Sequence, residues 1–206
     1  MLLKDLLKKL SYSELSNMNI GIDGAGHIDE AEHEKIIIYI NDGLNVLFTR
    51  YILRILVEPT TGLTTDLSEK YDLVKVIQIQ DVFGKDYAID SDYNYGFRVT
   101  PFNQIQYKGI VYNPDELIFY QALHDKLDMG SDYLNQIIRI PYFIEKPLQA
   151  FVASEIYKNM NNENTIAISQ NHMNTFLELC NLIDSKGLAE TDVHFENTKL
   201  YDRGFI

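Results

Sequence analysis

The chain contains one cysteine, Cys180, so it can close no internal disulfide and build no thiolate metal cage. It has no long apolar run: the longest, such as "KIIIYI" at 35–40, fall far short of the roughly 20 residues a membrane-spanning helix needs. The opening "MLLKDLLKKL" carries charges through its apolar positions. A signal peptide would instead show basic residues, then an unbroken apolar stretch, then a cleavage site. A cytosolic, reducing setting is therefore expected, with no membrane partner. No Pro-, Ser- or Gly-rich tract marks a long disordered segment. Basic residues are scarce, 18 Lys and Arg against 30 Asp and Glu, for a net charge of −12. Such a chain has no surplus of cations to displace phosphate counterions, which argues against nucleic acid as a tightly held ligand. Nucleic acid passing close by without sticking remains compatible with this balance.

What is present suffices for a real core. The 206 residues are 46% hydrophobic and 12% aromatic, enough for one large or two small domains. Leu2, Leu3, Leu6, Leu7 and Leu10 share one helical stripe, with Lys4, Asp5, Lys8 and Lys9 opposite. "SYSELSN" (11–17) ends this helix, and three glycines in "NIGIDGAGHID" supply a flexible link. Asp29 is placed to cap a second helix, with Glu32 in the capping-box position. Apolar residues at 37, 40, 44, 47, 51 and 55 predict that it runs from Glu30 to Leu56, roughly 40 Å, until Pro59 stops it. Ile36, Ile38, Phe48 and Ile52 widen its apolar face.

From about Val57 the period changes to two. "VKVIQIQ" (74–80) alternates as a half-buried strand does, and "DVFGKDYAID" (81–90) predicts a hairpin turning at Gly84-Lys85. Short strands follow in 97–113, "ELIFYQALH" (116–124) is taken as a strand, and "NQIIRIP" (135–141) as another closed by proline. Pro147 suits the first turn of a helix. Leu148, Phe151, Val152, Ile156 and Met160 give that helix its apolar stripe. Ala150, Ala153 and Ser154 form a small-residue face on which another helix can approach closely. After a polar link at 161–165, a last helix turns Met173, Phe176, Leu177, Cys180 and Ile183 inward and ends at Lys186 with Gly187 as its cap. The expected fold class is α+β: an α-helical bundle from 1–57 with 141–190, an inserted small β-sandwich or barrel at 58–140, and an extended C-terminal tail at 191–206.

Chemistry motifs are absent. "GIDGAG" (21–26) reverses the dinucleotide fingerprint and follows no buried strand, so it is a plain loop. "HEKII" (33–37) lacks the second histidine of a zinc protease, and His27 with His33 finds no third ligand, which leaves a solvated helix start. "DSDYNYG" (90–96) puts glycine at the seventh position rather than the sixth of a calcium loop and fits a hairpin tip. Cys180 sits on an apolar helix face and is inert core. No enzymatic activity, cofactor or metal is expected. The tail "VHFENTKLYDRGFI" (193–206) is unusual in being apolar and aromatic. Phe195, Leu200, Tyr201, Arg203, Gly204, Phe205 and Ile206 are its candidate docking residues. They either pack back on their own domain or dock into a neighbouring chain.

Four segments taken in order carry a resemblance: "LLKDLLKKLSYSELSN", "IDEAEHEKIIIYINDGLNVLFTRY", "IRIPYFIEKPLQAFVASEIYKNMN" and "NTKLYDRGFI". With the β insertion between the second and third, the chain resembles head–tail connector (adaptor) proteins of tailed phages, most closely the ring proteins of crAss-like and related short-tailed phages. The resemblance implies a structural virion protein at the head–tail junction, assembled in the host cytoplasm. It implies a homo-oligomeric ring of twelve copies beneath the portal protein, with helices as the ring wall. The insertion would face a downstream tail or ring protein, and the C-terminal segment would reach the portal. DNA would pass through without specific binding, and like-charge repulsion from an acidic wall would keep it mobile. The rival expectation is a cytosolic binding module whose β insertion holds a peptide or small ligand.

Overall fold

The computed structural model describes residues 1–16, 28–62, 64–81, 83–87, 96–101, 103–108, 116–160 and 162–189. The fold is α+β; the described residues form four α-helices and two small antiparallel three-stranded sheets. The chain divides into two compact units, Met1–Pro141 and Tyr142–Ile206. The division drawn from periodicity followed the change of hydrophobic period. The compact units follow contacts instead, and they group the first two helices with the six strands seen among the described residues.

In the first unit, α1 (Leu3–Tyr12) buries Leu3, Leu6, Leu7 and Leu10, the stripe its spacing predicts. Its start is tied to a distant segment: Leu2 bridges Ile137, and Leu3 N–H donates to Gln136 O at 2.9 Å. The expected strand at 135–141 is therefore not a sheet member among the described residues. It is a short 3-10 turn (Tyr133–Asn135) and an extended tie to the start of α1. The period-2 pattern of "NQIIRI" identified extended backbone but could not name its partner.

Helix α2 (Glu30–Arg50) begins where Asp29 accepts a hydrogen bond from Ala31 N–H. It ends six residues before the predicted boundary at Leu56, and Ile55–Pro59 form β1. Positions 51 and 55 fit a helical period, but they sit in "YILRILV", whose last three residues, Ile55 to Val57, pair with β6. The Gln121 side chain satisfies the last carbonyls of the helix, donating to Tyr51 O at 3.0 Å and to Phe48 O. Ile36, Ile37, Ile40, Leu44, Leu47 and Phe48 are buried, whereas Ile38 is exposed.

The strands are β1, β2 (Thr64–Asp66), β3 (Leu73–Gln80), β4 (Gly96–Val99), β5 (Gln104–Lys108) and β6 (Leu117–Ala122). One sheet has the order β1-β6-β3 and the other β2-β5-β4, all antiparallel. Ile79 and Ile118 of the first sheet and Phe97 and Ile105 of the second meet with Leu67 in one core. The reading of 116–124 as a strand holds for β6. The turn at Gly84 is present (φ 77°), with Asp81 Oδ1 accepting from Phe83 and Lys85 N–H at 2.8 and 2.9 Å. The motifs at 21–26 and 90–95 lie outside the described residues.

The second unit is a hairpin of α3 (Tyr142–Lys158) and α4 (Glu163–Ser185). Pro147 is the sixth residue of α3 rather than in its first turn. Pro141 already stands just outside the helix, so the start moves forward and the interior proline removes one helical hydrogen bond. The polar link is short, because Asn162 caps α4 in a capping box with Thr165. Leu148, Val152 and Ile156 are buried as the stripe predicts, while Met160 lies past the helix end and is exposed. In α4, Phe176, Cys180 and Ile183 are buried and Leu177 is exposed. Gly187 (φ 60°) follows α4 in the left-handed conformation, and Leu188 N–H reaches back to Ile183 O at 3.2 Å.

Candidate functional site

Of the predicted site residues, Phe195, Leu200, Tyr201, Arg203, Gly204, Phe205 and Ile206 lie outside the described residues. Ala150, Ala153 and Ser154 are buried in α3. Ser154 Oγ donates to Ser169 O at 3.1 Å, and Ser169 Oγ returns a bond to Ser154 O at 2.9 Å. Phe151 of α3 also meets Phe176 of α4 edge to face. Small side chains allow this approach, since a larger residue at 154 would hold the helices too far apart for side chain to reach backbone.

His33 is not a solvated helix start. It is buried, with Nδ1 2.8 Å from Tyr133 Oη and Nε2 3.1 Å from Ile28 O. Both ring nitrogens are engaged, and no metal can take either without displacing a partner. Burial raises the Tyr133 hydroxyl above its ordinary value. Among the described residues, no group of three or more His, Cys, Asp or Glu could hold a metal ion. No helix among them is long and apolar enough to cross a membrane.

A cleft of about 730 Å³ lies within the first unit. Ile38, Asn41, Asp42 and Asn45 of α2 form one wall. The turn before β3 (Glu69 to Asp72) and the segment after β6 (Leu123 to Lys126) complete it. Its charges are partly committed: Lys70 binds Glu58, and Asp125 binds Arg54 at 2.7 Å. The bond to Glu58 holds the Lys70 ammonium above its ordinary pKa. His124 lines the floor with Nδ1 2.6 Å from Asp125 O and Nε2 accepting from Arg139 N–H at 3.0 Å. That pairing fixes a neutral imidazole, and burial pushes its pKa down. With both nitrogens occupied it can serve neither as a general base nor as a ligand.

The cleft floor belongs to a strap, residues 121–139, that sequence reading missed. Gln121 holds it to the end of α2, and Asn41 pairs twice with the Leu127 backbone at 2.9 Å each. His33 meets Tyr133 further along. The available signals were single polar residues in apolar surroundings: Asn41 beside Ile40, and Gln121 in "LIFYQA". No protein-family model matches the chain, and no curated protein matches it.

Proposed function

We propose that this chain is a structural virion protein, a ring-forming adaptor that binds below a portal and connects it to the next tail component. The observation that carries the reading is the order of the chain. Two helices precede six strands in two sheets, and a helical hairpin follows, with the adaptor-like segments falling in that same order. A wall protein needs one set of elements to pack side by side and another to meet a different partner. The charge of −12 suits a conduit for DNA, because an acidic lining repels phosphate instead of holding it. The C-terminal segment from 193 to 206 is the attachment to the portal in this reading. The chain acts without catalysis or cofactor. Antibody labelling of intact virions tests the assignment: label concentrated at the head–tail vertex supports it, and label on the capsid surface, on tail fibres or nowhere removes it.

One observation favours a second reading. The cleft beside α2 has the volume of a small-ligand or peptide site. A binding module of this kind would be a monomer or dimer whose thermal transition rises with its ligand and which ignores the portal.

A further inference from the structure

Residues 124–139 form a loop whose neck is closed by one side chain. His124 Nε2 accepts from Arg139 N–H at 3.0 Å, while Nδ1 lies 2.6 Å from Asp125 O. The ring is buried and meets Phe48 of α2 edge to face. Inside the neck, Gln136 spans the loop: it accepts from Asp128 N–H at 3.1 Å and donates to Asp128 O at 3.0 Å. Further out, Asn41 holds Leu127 and His33 holds Tyr133.

Two histidines thus hold this loop, and hydrogen-bond chemistry separates them. His33 Nε2 faces the carbonyl of Ile28 and donates to it, and its Nδ1 faces the phenol of Tyr133. A hydroxyl can donate or accept, so that contact survives a proton on Nδ1. His124 Nε2 faces a backbone N–H, which can only donate. A proton on Nε2 sets two N–H groups against each other, and the neck cannot stay closed.

The surroundings decide when this happens. Burial is the main force holding the His124 ring neutral, Arg54 and Arg139 add to it, and Asp125 opposes them. Asp42 of α2 and Glu69 and Asp72 of the turn before β3 line the same cleft and draw a proton. Lys70 and Lys126 line it too and repel one. The other holds do not compete for that proton. Gln136 and Asn41 act through neutral amides, and the Gly130 N–H, with Gln136, keeps the Asp128 carboxyl below the ordinary carboxylate range.

We propose that the 124–139 loop is an acid-opened gate on the floor of the cleft: a proton on His124 releases Arg139 and parts the neck, while Asn41 and His33 keep their holds on the rest of the loop. Leu123 to Lys126, which line the cleft, run along one side of that neck. The opening depends on neither function proposed above.

Amide hydrogen exchange of the full chain tests the gate, read residue by residue by NMR from about pH 7.5 to about pH 4.5 and corrected for intrinsic exchange. Arg139 N–H is expected to lose protection about tenfold for each pH unit below the ordinary histidine value of 6.5, levelling off at the depressed folded value. Leu127 N–H, bonded to Asn41, should keep its protection over the same range. His124→Gln supplies an oxygen that accepts from Arg139 without titrating, and it should make the protection of Arg139 flat with pH. His33→Gln should leave the dependence as it is in the unaltered chain. If His124→Gln folds poorly, the comparison of Arg139 with Leu127 in the unaltered chain decides. The gate is overturned if Arg139 and Leu127 lose protection together, which would mean that the whole unit unfolds. It is also overturned if Arg139 stays protected once the His124 ring has titrated, if His124→Gln keeps the dependence, or if His33→Gln removes it.

Discussion

In the α3–α4 hairpin two helices meet through small side chains, and the hydrogen bonds between Ser154 and Ser169 lie inside the packed seam. Along α2 the partner is a strap with no α-helix of its own, held at separate points by Gln121, Asn41 and His33. A helix satisfies its own backbone, so the hairpin needs only shape to bring its elements together. Past β6 the strap has no continuous ladder: some of its backbone groups pair with backbone, as Leu123 N–H does with Asp72 O and Ile138 N–H with Met1 O, while others, such as both groups of Leu127, are met by the Asn41 side chain. The difference teaches where each region is vulnerable. The hairpin is sensitive to volume and the strap to the loss of individual polar groups.

Substitutions sharpen this contrast. Asn41→Leu keeps the size of the side chain but strips Leu127 of both backbone partners, and it should destabilise the first unit by about 3 kcal/mol. Denaturant unfolding measures the loss, with faster amide exchange expected at Leu127. A loss under about 0.5 kcal/mol would show that Asn41 does not hold the strap. In the hairpin, Ser154→Leu should lower stability by about 2 kcal/mol through overpacking. If it were neutral, the close approach at 154 would not depend on a small residue. Ser169→Ala keeps the volume nearly unchanged and should cost only about 1 kcal/mol, the net value of one buried hydrogen bond. A larger drop for Ser169→Ala than for Ser154→Leu would reverse the contrast between volume and polar bonding.

The smallest effect concerns pH. His124 is held below its ordinary value of 6.5, first by burial and further by Arg54 and Arg139, while Asp125 opposes them. The folded state therefore binds the proton less readily than the unfolded chain. Its contribution to stability is complete above the unfolded value and is lost as pH falls through the depressed folded value. Protonation also sets an N–H on Nε2 against the N–H of Arg139. His124→Gln should flatten the pH dependence of unfolding in this window. An unchanged slope would assign the dependence to another group.

The same contrast explains what was legible in the sequence. Regular elements announce themselves through period: the leucines of α1, the Phe176, Cys180 and Ile183 face of α4 and the Gly187 cap follow from spacing, whereas Leu177 was expected inward and is exposed. The end of α2 did not, because Tyr51 and Ile55 continue a helical spacing while β6 and the amide of Gln121 compete for that backbone. "NQIIRIP" has a strand's pattern, but its partner is the first turn of a helix more than 130 residues away. The cleft was illegible for a related reason. Its walls come from three distant segments, and no local signal links Asp42, Tyr71 and Asp125. Of the small residues at 150, 153 and 154, all are buried, and Ser154 meets Ser169 of α4.

The central claim is that this chain builds a ring on a portal. Native mass spectrometry of the chain mixed with the portal ring from the same genome tests it most directly. The account predicts twelve copies of this chain on a twelve-copy portal. A chain that remains a free monomer or dimer, with no portal complex at any mixing ratio, would contradict it and turn attention to the cleft beside α2.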